Sequence, residues 1–285
     1  MNVRICQYFV GNDEKYVELC HEVEKINKKY AELHGYTYRF SYQEEYLVKH
    51  FYRACTNKEI LAYKLHFIYN NLRRDEYSPV KNDVIVFIDA DAAISNPNIK
   101  IEDLIDDEHE IFLSRGNEIA CQLIELQRIK NSITNLFSQY DVFCTKYWDE
   151  IVKQYPTLYR DFEWMSVGNI LFNAGFIIVK NTKKMKELFE DSLKIQYLLM
   201  DTIYESKPND ERPLGLCLLK KKYNNLYTFL YSNVQGARIS GYQNKYDEDK
   251  TFILHEYGQA TTKEQKIDAV KALWNNKFWK NIEKT

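Results

Sequence analysis

Apolar and polar positions fall into blocks along the chain, each with the period of one element. Residues 84–88 (Val84, Ile85, Val86, Phe87, Ile88) are an unbroken apolar run, mostly β-branched. That is the pattern of a strand covered on both faces, as in a parallel sheet. Residues 3–9 predict a first strand. A helix follows, capped by Asn12 or Asp13 and running to about Leu33, with Val17, Cys20, Val23, Ile26 and Tyr30 on its apolar face. Gly35 is placed to end it. Residues 36–40 predict a short second strand, and a helix from Asn57 to about Leu72 presents Leu61, Leu65, Ile68 and Leu72 as one stripe. This β-α-β-α-β opening predicts an α/β fold with a Rossmann-like, mostly parallel central sheet flanked by helices.

The second half is less regular. Strands are expected at 111–114, 227–231 and 251–254, and at 170–179, where Asn173-Ala174-Gly175 interrupts the apolar run. Helices are expected at 120–136, 148–154, 183 to about 199, and 211–222. Residues 233–249, rich in Gly, Asn, Gln and Tyr, read as a loop over the site. No Pro/Gly/Ser-rich linker divides the chain, so a single domain over 1–285 is expected.

Charge narrows the partners: 39 basic against 41 acidic residues leave a net charge of -2, with no general nucleic-acid footprint. No apolar run approaches the ~20 residues of a membrane span. Met1 leads straight into Asn2-Val3-Arg4-Ile5-Cys6, without the ordered regions of a secretory leader. The expectation is a soluble, cytoplasmic chain. Its six cysteines are scattered with no CxxC pair, which fits free thiols in a reducing compartment.

The chemistry starts where the 84–88 strand ends, at Asp89-Ala90-Asp91. Open α/β sheets bind ligands at the carboxyl ends of their strands. Residues two apart on an extended segment point the same way. Two carboxylates there suit an oxygen-liganded divalent cation, which can in turn hold a phosphate-bearing substrate. Lys64 lies beside its helix's apolar stripe, between Ile60 and Ile68, and must either snorkel out or meet an anion. Gly175 inside a strand allows a bulge or a close backbone approach. Asp210-Glu211 begins a predicted helix, where acidic residues complement the dipole. Lys263 also stands near a helix start, where a lysine is ordinarily solvated, and a lone histidine such as His255 is ordinarily just a polar residue.

Taken in order, Asp89-Ala90-Asp91, Phe172-Asn173-Ala174-Gly175-Phe176, Asn209-Asp210-Glu211-Arg212-Pro213 and His255-Glu256-Tyr257-Gly258 form a more specific set. With Tyr30-Ala31, His34-Gly35-Tyr36 and Lys64, it resembles the metal-dependent GT-A glycosyltransferases. Within them the likeness is to the retaining galactosyl/xylosyltransferase family, which includes fungal α-galactosyl- and mannosyltransferases and plant xyloglucan xylosyltransferases.

The resemblance implies a single GT-A domain, with 1–110 as the nucleotide-binding half and 111–285 as the half for donor sugar and acceptor. It implies transfer of a sugar, xylose or galactose favoured, from a UDP-sugar to a hydroxyl of a glycan or oligosaccharide acceptor, with retention. Asp89, Asp91 and His255 would hold the metal. Imidazole in the set favours Mn²⁺, with Mg²⁺ as the alternative. Asp89 and Ala90 would lie against the donor, Gln7 and Phe9 would border the uracil and ribose, Lys64 would meet donor phosphate or sugar hydroxyls, and Lys263 would reach the diphosphate. Asn173, Ala174 and Gly175 would lie under the donor sugar, with Gly258 closing the His-x-x-Gly motif. Asp210 and Glu211 are the catalytic candidates beside the anomeric carbon, and Glu211 departs from the family's Gln.

In that scheme the leaving phosphate takes the acceptor proton, and a covalent intermediate on Asp210 or Glu211 is the variant. Three other readings stand beside it. One is a catalytically dead module that binds a sugar nucleotide. Another is an inverting GT-A enzyme with Glu163 or Asp161 as base. The third is a haloacid-dehalogenase-type phosphatase, opposed by Ala93 where Thr or Val is usual and by the absence of a later Gly-Asp-x-x-x-Asp. Trp164, Tyr231, Tyr242 and Tyr257 are candidates for stacking on sugar rings.

Overall fold

The computed structural model describes residues 1–11, 13–42, 57–74, 81–115, 172–202, 211–218, 222–223, 225–231, 233–239, 245–256 and 261–282. Within them β1 (Val3–Phe9), α1 (Glu14–His34), β2 (Thr37–Tyr42), α2 (Asn57–Arg74) and β3 (Val84–Ile88) follow the sequence pattern closely. Asp13 caps α1 by accepting from the Tyr16 amide, and Gly35 ends it in the left-handed region at φ 68°. Strand β2 starts one residue later than expected and runs two further.

Next come β4 (Ala92–Ile94), β5 (Ile111–Arg115), β6 (Phe172–Lys180), α3 (Lys183–Thr202), α4 (Glu211–Leu218), β7 (Tyr227–Phe229), β8 (Gln235–Gly236), β9 (Ile253–His255), α5 (Lys263–Lys271) and α6 (Trp279–Ile282). The helices expected at 120–136 and 148–154 lie outside the described residues.

The central sheet has the order β2-β1-β3-β6-β5-β7. Strand β6 is antiparallel to both neighbours, while β2, β1 and β3 pair in parallel, as do β5 and β7. Among the described strands of this sheet β6 alone therefore runs against the rest, and the sheet is mostly parallel. The alternating contacts of β3 show why its sequence is apolar throughout. Ile85 and Phe87 pack into a cluster with Leu65, Ile68, Leu72, Leu188 and Phe189 from α2 and α3. Val84, Val86 and Ile88 pack on the other face with Val23 and Ile26 of α1, and with β4 and β9. The result is one α/β domain with helices on both faces.

A second, three-stranded sheet, β4-β9-β8, was not expected from the pattern, because its strands are only two or three residues long. Strand β8 lies inside the segment expected to be a loop, and Gln235 is buried at 2% exposure. The sheet carries the site: β4 follows directly on Asp91, and the β4–β9 register sets Ala92 opposite His255. From behind, the Trp279 indole N–H donates to the Ile94 carbonyl at 3.0 Å and holds β4 in place. No described helix is long and apolar enough to cross a membrane. Cys6, Cys20 and Cys217 are free and buried, and burial pushes the Cys6 thiol up to about 12.

Candidate metal centre

Asp89 leaves the sheet at the carboxyl end of β3, its amide still bonded to the Gly175 carbonyl at 2.9 Å. The turn closes at once, with the Ala92 amide donating to the Asp89 carbonyl at 3.0 Å. Two buried amide side chains pin this turn. Gln7 on β1 donates from Nε2 to the Asp89 carbonyl at 2.9 Å. Asn27 on α1 donates from Nδ2 to Gln7 Oε1 (2.9 Å) and to the Ala92 carbonyl (3.0 Å), and accepts from the Ile94 amide (2.8 Å). The Tyr38 hydroxyl adds a second donor to Gln7 Oε1. Gln7 is fully buried and supports the Asp89–Ile94 segment from inside. Phe9 is 3% exposed and packs with Ala90, Cys20 and the Tyr16 ring.

Ligand-bearing atoms of Asp89, Asp91 and His255 all lie within 4.8 Å of one another. His255 Nε2 is 3.2 Å from Asp91 Oδ1 and 4.0 Å from Asp89 Oδ2. Two carboxylates and one imidazole converging this closely fit a divalent cation of intermediate hardness. A further fit comes from Gly175. A Cβ there would stand 2.6 Å from both Cε1 and Nδ1 of His255, so the imidazole lies directly on the glycine backbone. The Asn173-Ala174-Gly175 interruption is thus a close backbone approach. It is also a bulge: Leu113 pairs with Ile177 but Ser114 with Asn173.

Asn173 Oδ1 accepts from the Gly175 amide (2.8 Å) and from Gln235 Nε2 (3.1 Å). Gln235 Nε2 also meets His255 Nδ1 at 2.5 Å, and its Oε1 accepts from the Ser114 hydroxyl at 2.6 Å.

Two lysines neutralise the carboxylates. Lys64, 5% exposed, lies 2.8 Å from Asp89 Oδ1, donates to the Ala174 carbonyl at 3.2 Å, and sits over the Phe87 ring. Of the two fates its sequence position allowed, it meets an anion, and that anion is Asp89. The second is Lys266 of α5, 3.4 Å from Asp91 Oδ2. Lys263 instead pairs with Asp13 at 2.6 Å on the exposed side of α5. One helical turn separates the two lysines, and only the later one faces Asp91. Burial would raise the Asp91 carboxyl, but facing His255 and Lys266 outweigh it and hold the group well below the usual carboxylate range. Burial, reinforced by Asp91, raises the neighbouring Tyr16 hydroxyl well above its ordinary value.

Asp210, Gly258, Asp161, Glu163, Trp164, Tyr242 and Tyr257 lie outside the described residues, and Glu211 is described only as the first backbone position of α4. Tyr231 is exposed, its hydroxyl donating to the Lys250 carbonyl at 2.9 Å. Sequence reasoning missed Asn27, Gln235 and Lys266. Asn27 left a trace, as an amide on the apolar face of α1 between Ile26 and Tyr30. The other two sit in segments whose periodicity is too short to read.

No family model matches the sequence, and no curated protein matches it. Solved structures do. A glycosyltransferase involved in the glycosylation of the major capsid of PBCV-1 superposes with TM-score 0.56 at 10% identity, over 95% of this chain and 99% of that one. The WbbM bifunctional glycosyltransferase matches 99% of this chain with 51% of its own, at TM-score 0.50 and 14% identity. Mouse xyloside xylosyltransferase 1 matches at TM-score 0.44 and 11% identity, over 92% of this chain and all of that one (100%). With an Asp-x-Asp pair leaving the central strand and a histidine closing on it from the second sheet, the chain has the GT-A glycosyltransferase fold.

Proposed function

We propose that this protein is a metal-dependent glycosyltransferase that moves a sugar, xylose or galactose favoured, from a UDP-sugar to a glycan hydroxyl with retention. The observation that carries the reading is the convergence of Asp89, Asp91 and His255 at the carboxyl end of β3. Those three residues would hold Mn²⁺ or Mg²⁺, which supplies Lewis-acid stabilisation of a departing diphosphate. Lys64 and Lys266 already stand against the two carboxylates. A diphosphate arriving at the centre would bring them anionic oxygens as alternative partners, and preorganised cations at a leaving group account for much of the rate in such chemistry. Asp210 and Glu211 are the catalytic candidates beside the anomeric carbon. Residues 1–110 would bind the nucleotide, and 111–285 the sugar and acceptor.

The test is UDP release from a panel of UDP-sugars with Mn²⁺, with EDTA, and with Asp91→Ala. Release from one donor that needs metal and is lost in the variant supports the reading and names the sugar. Mn²⁺-dependent UDP binding with no turnover, even when acceptor glycans are supplied, would identify a dead binding module. Absence of both binding and turnover with every UDP-sugar would sink the donor assignment.

A further inference from the structure

Behind the candidate metal ligands, the hydrogen bonds around Gln235 have a direction that the backbone dictates. The Gly175 N–H can only donate, so Asn173 must turn its Oδ1 toward it, at 2.8 Å. That same oxygen faces Gln235 at 3.1 Å, so Gln235 must present Nε2, and the Ser114 hydroxyl serves its Oε1. Gln235 Nε2 then also donates to His255 Nδ1, at 2.5 Å. The neutral ring therefore carries its hydrogen on Nε2, which is 3.2 Å from Asp91 Oδ1.

A cation at the centre reverses the demand. Ligation through Nε2 needs that lone pair, which leaves the ring hydrogen on Nδ1 and in need of an acceptor. Gln235 is the side chain already there, and an amide can supply either role by exchanging its two ends. Ser114 can accept the turned Nε2, because its hydroxyl also reaches the Asn173 carbonyl at 2.9 Å. Asn173 Oδ1 keeps the Gly175 bond and loses Gln235, so the turn costs one hydrogen bond that the cation must outweigh.

We propose that Gln235 is the positioning residue of the metal centre, donating to His255 Nδ1 when the centre is empty and accepting from it when Nε2 ligates a divalent cation. The hydrogen lost from Nε2 and the one gained at Nδ1 exchange with solvent. This inference rests on the metal reading given above.

The probe is Mn²⁺ alone, titrated by electron paramagnetic resonance into the wild type, Gln235→Glu and Gln235→Leu, with melting curves in EDTA for each. A carboxylate only accepts, so Gln235→Glu should keep Mn²⁺ affinity within about threefold of wild type. Gln235→Leu should lose on the order of tenfold or more, the usual effect of removing a group that orients a ligand. A purely structural role predicts the other order, since a buried carboxylate disrupts folding more than leucine. Wild-type affinity in Gln235→Leu, or equal losses in both variants, would overturn the proposal. A long-range ¹H–¹⁵N spectrum of the metal-free wild type tests it without any variant. It should show His255 protonated at Nε2 alone, and hydrogen on Nδ1 refutes the relay. If the wild type takes up no Mn²⁺, the metal reading itself has failed, an outcome distinct from uptake that the variants leave unchanged.

Discussion

Replacing Gly175 by alanine tests the construction of the centre most directly, because the perturbation is one methyl group. Its Cβ would lie 2.6 Å from Cε1 and Nδ1 of His255 and 2.8 Å from Asn173 Oδ1. Ordinary contact needs close to 3.5 Å or more, so the ring must withdraw by roughly 1 Å. It has little room to do so: His255 is 3% exposed, and its Nδ1 is engaged by Gln235. Overpacking of this kind costs about 1–3 kcal/mol. At about 2–4 °C per kcal/mol for domains somewhat smaller than this one, the melting midpoint should fall by several degrees.

The larger effect should be on the metal. A ligand displaced by about 1 Å leaves the bonding range of an imidazole, ~2.0–2.1 Å on zinc, so Mn²⁺ affinity should drop at least tenfold. Calorimetric titration with Mn²⁺, beside melting curves in EDTA, separates the two effects. A Gly175→Ala protein that binds Mn²⁺ as wild type does, with an unchanged midpoint, would refute the placement of the imidazole on this glycine.

Three further outcomes are expected. Asn27→Leu strips partners from the Ile94 amide, the Ala92 carbonyl and Gln7 Oε1; it should cost about 2–4 kcal/mol in urea unfolding and weaken Mn²⁺ binding, and an unchanged unfolding curve would refute the clamp. Lys64→Met leaves the partly buried Asp89 carboxylate without its cation, so stability should fall by about 1–3 kcal/mol and Mn²⁺ should restore more of it than it adds to wild type, as differential scanning fluorimetry would read. Asp91 is held below its unfolded value near 3.9, so its contribution is complete above that pH and is lost as pH falls through the lower folded value. Metal-free urea midpoints measured from pH 6 down to pH 2 should therefore fall less steeply in Asp91→Asn than in wild type.

How much of this was legible in the sequence follows from element length. Helices α1 and α2 are long enough to show a period, β3 is an unbroken apolar run, and Asp13 and Gly35 punctuate α1 with caps that have a local mechanism. The Asp89-Ala90-Asp91 pair could be read because a buried strand runs straight into it. The second sheet could not, since strands of two or three residues have no period and their partners come from opposite ends of the chain. For the same reason the antiparallel run of β6 was invisible: direction is set by tertiary packing, and its apolar residues read alike both ways. Lys266 and Lys263 are equally plausible by composition, and only their places along α5, one turn apart, separate them. Gln235 sat in a polar stretch whose composition resembles a loop, although its amide is buried for the sake of a histidine 20 positions later.

The reach of the second sheet also bears on how the protein folds. Lys266 and Asp91 are separated by 175 positions, and the Trp279 bond to Ile94 spans 185. Closing a loop of that length costs roughly 4–5 kcal/mol beyond a constant, and contacts so distant in sequence form slowly. The carboxylates emerge with the first third of the chain, whereas the histidine arrives near its end. Metal capture with the full ligand set must therefore be a late event, after β9 has docked. A cation that binds only the closed form would then act as a latch on the slowest pairing, so refolding carried out with Mn²⁺ should trap fewer chains with the second sheet open.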